Sequence, residues 1–434
     1  MKKLLSLALV IALTGTMLAG CGAKPAESAA PSAAAPAASS TAASTEPELS
    51  GSIVWATNRT DLADTVLADL ANEFMALHPG TEIEVEGLKD VEQTLMTRMT
   101  ANEMPDISLV INTKISSADY PTYFLPIDDL GFTKDDVYFY DNGLGPDGKL
   151  YNLCGCTYYN SIVYNKAAFR KAGIESTPKT IAELEEVCDK LVAAGITPFG
   201  TSYREKWPLR GFLSGFYTQI GLTGDPAYKN NLVNADKFFD DTKGGNLEVM
   251  ELGRKWAKAG YFEKDLVNAN WDNFRRDIAA GDIAMFYDGN WYTTQMQDAG
   301  VPAEDIGTFA FPELKTLTVT PDWFYGIAKN TKNPDLAKAF LKYMIEDGRY
   351  AAVMNLVSSE KGAKCTLPGF DELMSCGLEA VEVPATDPKL QEIFNQAQMD
   401  LDSIVQEYWI ADDANAVVEK YNTKWAEAKQ ELAK

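Results

Sequence analysis

Hydrophobic residues in the first part of the folded chain recur with two different periods. From Leu62 to Phe74 they are spaced three and four residues apart, as on one face of a helix, whereas residues 81–88 alternate as in a strand. These patterns predict strands at 52–56, 81–88 and 105–111 and helices at 62–75 and 91–104. The order is that of a βαβαβ unit, and parallel sheets bind ligands beyond the carboxyl ends of their strands.

The second half of the chain repeats this alternation. Thr180 and Glu183 form a capping-box pattern, which predicts a helix with an apolar face from Ile181 to Leu191 and an end at Gly195. Further helices are predicted at 247–256, 273–280, 334–344 and 414–432, further strands at 196–200, 283–286, 308–312 and 323–327, and Asn333 is the expected cap of the helix at 334. We therefore expect two α/β units.

The stretch between these units, residues 147–166, is predicted to cross from one to the other. It opens with a turn pair at Asp147 and continues with alternating apolar and small residues, which favours extended chain over helix. Such a segment would leave Tyr158 and Tyr159 at the seam between two sheets. The alternative is an ordinary pair of strands with a tyrosine-rich surface.

The N-terminus indicates export. After two lysines an apolar run continues to Leu13, which is shorter than the about 20 residues that a membrane-spanning helix needs. The run is typical of a secretory signal peptide, predicted at residues 1–20. It ends in Leu18-Ala-Gly-Cys21, which resembles a bacterial lipobox and implies cleavage before Cys21 and lipidation of its sulfur. We therefore expect the mature protein to be lipid-anchored on the outer face of the bacterial cell membrane.

Composition bounds the organisation and the ligand. Residues 21–50 are rich in Ala, Pro and Ser and offer almost nothing to bury, which predicts a tether, whereas 46% hydrophobic residues overall are ample for two cores. A net charge of −23 argues against nucleic acid as a partner, because the long-range field opposes it. A neutral or cationic small molecule is compatible with that charge. An acidic surface that serves only solubility is an equally good explanation.

Cysteine and histidine residues suggest neither a metal centre nor a catalytic set. With Cys21 lipidated, the six cysteines leave five, so at least one thiol stays free, and Cys365–Cys376 and Cys154–Cys156 are the pairings left open. The single histidine stands beside a proline in a predicted turn, which disfavours a His-based catalytic group. We therefore predict no catalytic residues, no metal and no cofactor.

Several short motifs follow one another in a fixed order along the whole chain. They are the lipobox, Met104-Pro-Asp-Ile107, Leu125-Pro-Ile127, Asp147-Gly-Lys-Leu-Tyr151, Val163-Tyr-Asn-Lys166, Ala172-Gly-Ile174, Pro178-Lys-Thr180, Ala280-Gly-Asp-Ile-Ala-Met285, Asp288-Gly-Asn-Trp291, Phe311-Pro312 and Gly326-Ile327 before the helix at 333–343. Their order and spacing across residues 51–434 resemble the family 1 extracellular solute-binding proteins, the lipoprotein receptors of bacterial ABC importers.

The resemblance implies an α/β protein with a two-lobe periplasmic-binding-protein-like fold of type II, in which two α/β domains are joined by a multi-strand hinge. The expected lobes are 51–158 with 313–348 and 159–312 with 349–434, and the expected crossings lie near 156–161, 311–314 and 345–352. Ligand would be held in the cleft between the lobes, which close over it.

The resemblance further implies a carbohydrate ligand, with Trp291 stacked on a sugar ring. A pyranose has an apolar face and a rim of hydroxyls, so it needs flat aromatic surface and short polar groups. The expected ligand-binding residues are Asn58, Arg59, Asp61, Asn112, Tyr158, Tyr159, Trp207, Arg210, Trp271, Asp288, Trp291 and Trp323, with Arg204, Asp272, Asn290 and Asp322 beside them. Trp256 and Trp425 are expected in the core.

The function that the resemblance implies is capture of a sugar or oligosaccharide by hinge closure and its delivery to an ABC permease. We expect a monomer with the transmembrane permease subunits as its partners. Two alternatives stay open. One is a secreted glycoside hydrolase with a pair of carboxylates, and the other is a receptor of the same fold for a polyamine or for ferric ion, with Tyr158 and Tyr159 as ligands of the metal.

Overall fold

The computed structural model of the protein describes residues 49–112 and 114–434. Its strands are β1 (Gly51–Thr57), β2 (Thr81–Gly87), β3 (Ile107–Leu109), β4 (Asn152–Cys154), β5 (Cys156–Tyr159), β6 (Ile162–Asn165), β7 (Thr197–Phe199), β8 (Ile283–Tyr287), β9 (Ile306–Phe309), β10 (Leu317–Pro321), β11 (Phe324–Ile327), β12 (Val357–Ser358) and β13 (Ala380–Glu382). The predicted signal peptide, the lipidation site Cys21 and nearly all of the predicted tether lie outside the described residues.

Helices connect these strands throughout. They are α1 (Val66–Leu77), α2 (Val91–Ala101), α3 (Tyr120–Tyr123), α4 (Lys166–Lys171), α5 (Ile181–Ala193), α6 (Tyr217–Thr223), α7 (Tyr228–Asn231), α8 (Asn246–Ala259), α9 (Trp271–Ala280), α10 (Tyr292–Asp298), α11 (Pro334–Ile345), α12 (Arg349–Met354), α13 (Phe370–Met374), α14 (Pro388–Gln396), α15 (Leu401–Ile410) and α16 (Ala414–Leu432). Among the helices described, none has the length and apolar character that crossing a bilayer requires.

The first sheet has the strand order β2-β1-β3-β11-β4. β1 pairs in parallel with β2 and with β3, so the predicted βαβαβ unit is confirmed. β11, which comes more than two hundred residues after β3, inserts antiparallel between β3 and β4. The chain therefore leaves this sheet after β4 and returns to it only at β11.

The intervening chain builds a second sheet of order β7-β8-β6-β9. β7 and β8 run parallel, and β6 pairs antiparallel with β8 and with β9. Its largest core contains the stacked rings of Phe199 and Trp256, and Trp425 from α16 is also fully buried there. The predicted core positions of Trp256 and Trp425 are thus confirmed. The core of the first sheet is separate and centres on Trp55, Phe74 and Phe340.

A third, small sheet of order β12-β5-β10-β13 lies where the chain passes from one large sheet to the other. β5 follows β4 of the first sheet and precedes β6 of the second, and β10 precedes β11, by which the chain returns. β12 pairs with β5 through Val357 and Ser358, later in the chain than the predicted third crossing at 345–352. Tyr350 and Met354 of α12 belong to the first core, which favours a lobe boundary beyond residue 354.

Two helix N-termini differ from the predictions, α1 in its position and α11 in its cap. α1 begins at Val66 rather than at Leu62, because the residues before it form turns that bring Leu62 N–H to the carbonyl of Arg59. α11 begins at Pro334 as predicted, but the Asn333 side chain makes no cap hydrogen bond. Its amide instead donates to the carbonyl of Ser52 at 2.8 Å, which ties α11 to β1.

The capping box at the start of α5 forms as predicted. Thr180 Oγ1 accepts the N–H of Glu183 at 3.1 Å, and the Glu183 carboxylate accepts the N–H of Thr180 at 3.3 Å. We expect Thr180→Ala to lower the free energy of unfolding by about 1 kcal/mol, because the first-turn N–H loses its acceptor. Urea unfolding should show this as a lower midpoint, whereas Ser176→Ala, at an exposed site just upstream, should leave the midpoint unchanged. Equal midpoints for the two variants would contradict the role of the cap.

Candidate ligand-binding site

A cleft of about 730 Å³ opens beside the small sheet and is walled by residues from both large sheets and their connections. Its lining residues are Asn58, Arg59, Asp61, Leu62, Val66, Tyr158, Arg210, Trp291, Thr294, Gln295, Asp298, Pro321, Asp322, Val353, Met354, Asn355 and Leu356. The loop after β1 supplies one wall, and α10 with the turn before it supplies the other. Tyr158 of β5 and Asp322 after β10 lie between these walls.

The turn after β8, Asp288 to Trp291, is fixed by backbone hydrogen bonds to residues 159–161, which connect β5 to β6. Asp288 and Ser161 exchange N–H to carbonyl bonds at 3.3 Å, and Asn290 N–H donates to the carbonyl of Tyr159 at 3.0 Å. The Asn290 side-chain oxygen accepts the N–H of Tyr159 at 2.9 Å in return. A Cβ on Gly289 would lie 2.5 Å from the Tyr158 ring, so only glycine lets that ring pack against the turn.

Arg210 and Asp288 form the principal ion pair of the cleft. Two guanidinium nitrogens of Arg210 donate to the Asp288 carboxylate, the shortest contact being 2.6 Å, and Asp288 is fully buried. Tyr217 donates a further hydrogen bond to the carboxylate at 3.2 Å. Burial by itself lowers the pKa of the Arg210 guanidinium, but the Asp288 carboxylate outweighs that effect and holds this pKa well above its usual value. The Arg210 guanidinium is therefore charged whenever the protein is folded.

Three tryptophans stand together beside this ion pair. The ring centroids of Trp207 and Trp271 lie 4.7 Å apart, and those of Trp207 and Trp291 lie 6.0 Å apart. The Arg210 guanidinium lies over the Trp207 ring at 5.5 Å and over the Tyr158 ring at 5.9 Å. Trp291 is the one of these three that lines the cleft, and all three pack against the core around Phe274 and Phe286. Trp207 and Trp271 therefore adjoin the aromatic surface that Trp291 contributes.

The opposite wall carries a second, more exposed ion pair. Arg59 Nε and Nη2 donate to the two carboxylate oxygens of Asp61 at 2.9 and 2.7 Å. The hydrogen bond from Arg59 lowers the pKa of the Asp61 carboxyl. Both residues follow β1 and line the cleft, and their use in ligand binding at the carboxyl end of this strand stays a prediction.

Asp322 contributes a carboxylate between the two walls. Its backbone N–H donates to the carbonyl of Cys156 at 2.9 Å, and the Cys156 thiol donates to its Oδ2 at 3.6 Å. Burial raises the pKa of the Asp322 carboxyl, while the Cys156 thiol opposes that rise. No cationic side chain of the described chain forms an ion pair with it at hydrogen-bonding distance.

Three buried side-chain atoms along the cleft have no hydrogen-bond partner within the described protein. They are the carbonyl oxygens of Asn58 and Gln295 and the indole nitrogen of Trp291. Buried polar atoms are normally paired, because leaving one unpaired costs about 1–3 kcal/mol. Two acceptors and one donor in the same cleft suit a ligand whose groups can both donate and accept, as hydroxyls do.

Some predicted site residues are not among those that line the cleft. Asn112 is exposed and accepts a hydrogen bond from the Tyr120 hydroxyl at 3.4 Å. Tyr159 faces a small core, where its hydroxyl lies 3.1 Å from that of Tyr138. Trp323 packs against the core of the first sheet. Each of these residues follows or lies in a strand as predicted, but its side chain contacts residues that do not line the cleft.

The side chains of α10 are the part of the cleft that sequence reasoning missed. Thr294, Gln295 and Asp298 follow Trp291 at spacings of three, four and seven residues, which places them on the same face of one helix. Extending the helical period from Trp291 would have found them. The segment from Val353 to Leu356 carries no comparable signal, because only the packing of α12 brings it to the cleft.

The contacts of Tyr158 and Tyr159 disfavour the ferric-ion alternative. Consecutive residues of a strand point to opposite faces, and accordingly Tyr158 lines the cleft while Tyr159 packs in a core. Two tyrosines placed in this way cannot bind one metal ion. In the described part of the chain, no group of three or more His, Cys, Asp or Glu residues is arranged to hold a metal.

A second cavity, of about 600 Å³, lies between α5, α8 and the segment at 313–315. Its floor is apolar, with Ile181, Val249 and Leu252 among the lining residues. It shares no residue with the cleft and contains none of the predicted site residues. The cleft is therefore the better candidate for the ligand site.

Comparison with known proteins agrees with this architecture. Residues 56–349 match the family of bacterial extracellular solute-binding proteins. The chain belongs to this family. It is thus an exported solute-binding protein and not an enzyme, and the glycoside hydrolase alternative is set aside.

Individual relatives are distant in sequence and close in fold. The multiple sugar-binding protein of Streptococcus mutans is 25% identical over 301 residues, which cover 66% of this chain and 69% of the relative. The manno-oligosaccharide-specific protein BlMnBP2 of Bifidobacterium animalis subsp. lactis, solved with mannotriose, is 21% identical with a TM-score of 0.73 over 88% of this chain and 96% of its own. RafE of Streptococcus pneumoniae, solved with raffinose, is 21% identical with a TM-score of 0.68 over 88% of this chain and all of its own. The predicted two-lobe α/β fold is confirmed.

The five cysteines in the described residues are all free thiols, and they differ in accessibility. Cys376 is exposed and Cys365 partly buried, whereas Cys154, Cys156 and Cys188 are buried and burial raises the pKa of each of these three thiols. We expect Cys376 to react rapidly with Ellman's reagent at pH 8 in the native protein, because its side chain is exposed to the reagent. The three buried thiols should react only after unfolding.

Two matched variants test this assignment. Cys376→Ser should remove the rapid phase. Cys188→Ser should keep the rapid phase and lower by one the number of thiols that react only after unfolding. A disulfide between Cys365 and Cys376 would give the opposite result, with no rapid phase until the protein is reduced.

Proposed function

We propose that this protein captures a sugar or oligosaccharide in the cleft and delivers it to the membrane permease of an ABC importer. The observation that carries the proposal is Trp291, an aromatic residue beside the Arg210–Asp288 ion pair and near unpaired polar atoms of Asn58 and Gln295. A pyranose presents one apolar face and a rim of hydroxyls, and it would satisfy both kinds of surface at once. The sugar-binding relatives support the same class of ligand.

In the proposed cycle, ligand binding closes the cleft. The lobes would be 51–158 with 313–348 and 159–312 with 349–434, the second boundary falling somewhat later if α12 stays with the first core. Closure pairs the unpaired polar atoms with ligand hydroxyls, so a saccharide of the wrong shape would leave some of them unsatisfied. The closed form, held by ligand, is the state that the permease would recognise.

The site residues differ in their proposed roles. Trp291, Tyr158, Arg59 and Asn58 would contact the ligand directly, as would Asp61. Asp288 would hold Arg210 in place, and Trp207 and Trp271 would support Trp291 from behind. The positions of Asn112, Tyr159 and Trp323 give less support to direct contact.

A thermal-shift screen with mannotriose, raffinose and maltotriose tests the function. A ligand present at 100 times its dissociation constant should stabilise the protein by about 2.7 kcal/mol. Small-angle scattering should show a smaller radius of gyration with the same saccharide. Absence of both effects across a wide panel of saccharides would overturn the proposal.

Trp291→Ala tests the site. We expect loss of saccharide binding in calorimetry, with the free energy of unfolding lowered by no more than about 1–2 kcal/mol, because the ring is only partly buried. Trp323→Ala makes the same change at a residue outside the cleft lining and should keep binding. Retained binding in Trp291→Ala, or a misfolded variant, would mean that Trp291 serves the core.

We further propose that lipid on Cys21 anchors the protein to the outer face of the cell membrane and that the folded body acts as a monomer. The Leu18-Ala-Gly-Cys21 sequence supports the anchor. Detergent phase partitioning of the protein from bacterial cells should place it in the detergent phase, and Cys21→Ser should move it to the aqueous phase. Cys376→Ser, which alters a cysteine of the folded body, should stay in the detergent phase. Detergent partitioning that persists in Cys21→Ser would exclude lipid on this sulfur as the anchor.

A further inference from the structure

The charged side chains of the cleft are unevenly paired. Arg59 is engaged by both carboxylate oxygens of Asp61, and Arg210 by the buried carboxylate of Asp288. These are the only two cationic side chains among the lining residues, since no lysine is present there. Each positive charge of the cleft is therefore already neutralised by a carboxylate of the protein.

Two carboxylates of the lining form no ion pair in the described structure. Asp322 is contacted by the Cys156 thiol, and the cation whose field it feels, Arg59, is already bound by both carboxylate oxygens of Asp61. Asp298, at the end of α10, forms no ion pair either. Asp298 also stands at a helix C-terminus, where the helix dipole adds negative potential. The cleft thus carries an excess of negative charge of its own, in addition to the net charge of −23 of the whole chain.

This arrangement bears on the class of saccharide that can enter. An anionic group on the ligand would lose its hydration and find no free cation, while facing the Asp322 carboxylate in a partly buried space where charges are weakly screened. A hydroxyl or a protonated amine would instead donate to the same carboxylate. The exposed Arg59–Asp61 pair is the one place where an anion can compete for a cation, because exposed pairs are worth little.

We propose that the cleft selects by charge, accepting uncharged or amine-bearing saccharides and rejecting those that carry a carboxylate or phosphate, and that Asp322 is the residue that imposes this selection. The inference rests on the proposed function, because it concerns the same cleft. It adds a class of ligand to be excluded and a residue responsible for the exclusion. Cys156 acts as a positioning residue, since its thiol and carbonyl hold Asp322 in place.

The experiment compares two derivatives of each saccharide that binds, among mannotriose, raffinose and maltotriose. In one derivative a primary hydroxyl is oxidised to a carboxylate, and in the other the same hydroxyl is replaced by an amine. Calorimetry gives the dissociation constant of each derivative. Because both derivatives alter the same hydroxyl, the ratio of the two constants reports mainly the effect of the charge. We expect the carboxylate to bind at least about 30-fold more weakly than the amine in the native protein, as expected for charges in a medium of intermediate dielectric.

Asp322→Asn should reduce this ratio about tenfold, because it removes the charge and keeps the side-chain shape. Asp298→Asn, at an exposed helix end, should reduce the ratio of dissociation constants about threefold. This variant gives a second test of the charge effect if Asp322→Asn folds poorly. The matched control is Asp129→Asn, which removes one negative charge from an exposed pair with Lys338 outside the cleft lining and should leave the ratio unchanged.

The outcomes separate this inference from the proposed function. If the parent saccharides bind but the two derivatives bind equally, selection by charge is wrong while the proposed function stands. If the ratio is large in the native protein and unchanged in Asp322→Asn and Asp298→Asn, these carboxylates are not its source and the assignment is overturned. If no parent saccharide or derivative binds, the proposed function fails and this inference with it.

Discussion

The buried carboxylate of Asp288 is the constraint on which the cleft depends. A charge that is fully removed from water must be paired and hydrogen-bonded, and Arg210 and Tyr217 satisfy it together. Removing one partner of such a pair typically costs about 3–5 kcal/mol, so the geometry around it is strongly enforced. Because Arg210 also lies over Tyr158 and Trp207, the same ion pair fixes the aromatic wall of the site.

The connection between β5 and β6 ties the Asp288 turn to the small sheet. Asn160, which is almost fully buried, donates to the carbonyl of Asp288 and accepts hydrogen bonds from Thr318 and Thr320 of β10. One side chain therefore links the turn that carries Trp291 with β10 of the small sheet. Asp322 follows β10 directly. A group on the ligand that reaches Asp322 thus contacts the connection between the two large sheets, which is the part of the fold that closure would bend.

The polar groups of the cleft fall into two classes, those paired within the protein and those left unpaired. Those that shape the walls are paired within the protein, as in the two arginine–carboxylate pairs and the bonds between Asn290 and Tyr159. Those left unpaired are the Asn58 and Gln295 carbonyl oxygens and the Trp291 indole nitrogen. The first class keeps the walls rigid, which lowers the cost of ordering on binding, and the second would supply the energy of recognition in the proposed function, when a ligand pairs its atoms. A member of the solute-binding family can in this way be both preorganised and selective.

The sequence by itself determined the elements and the family. The periods of its apolar residues located β1 to β3 and the capping box placed α5, because these signals depend only on neighbours a few residues apart. The two-lobe fold was identified by the order of short motifs along residues 51–434. The sequence also marked Arg59, Arg210 and Trp291 as residues beside strand ends. Only the tertiary structure decided which side chains meet. Tyr158 and Tyr159 are identical in type and adjacent in sequence, yet the strand turns one to the cleft and the other to a core. The pairing of Arg210 with Asp288 and the contact of Cys156 with Asp322 each join residues far apart in the chain. Such pairings are set by packing that no local pattern records.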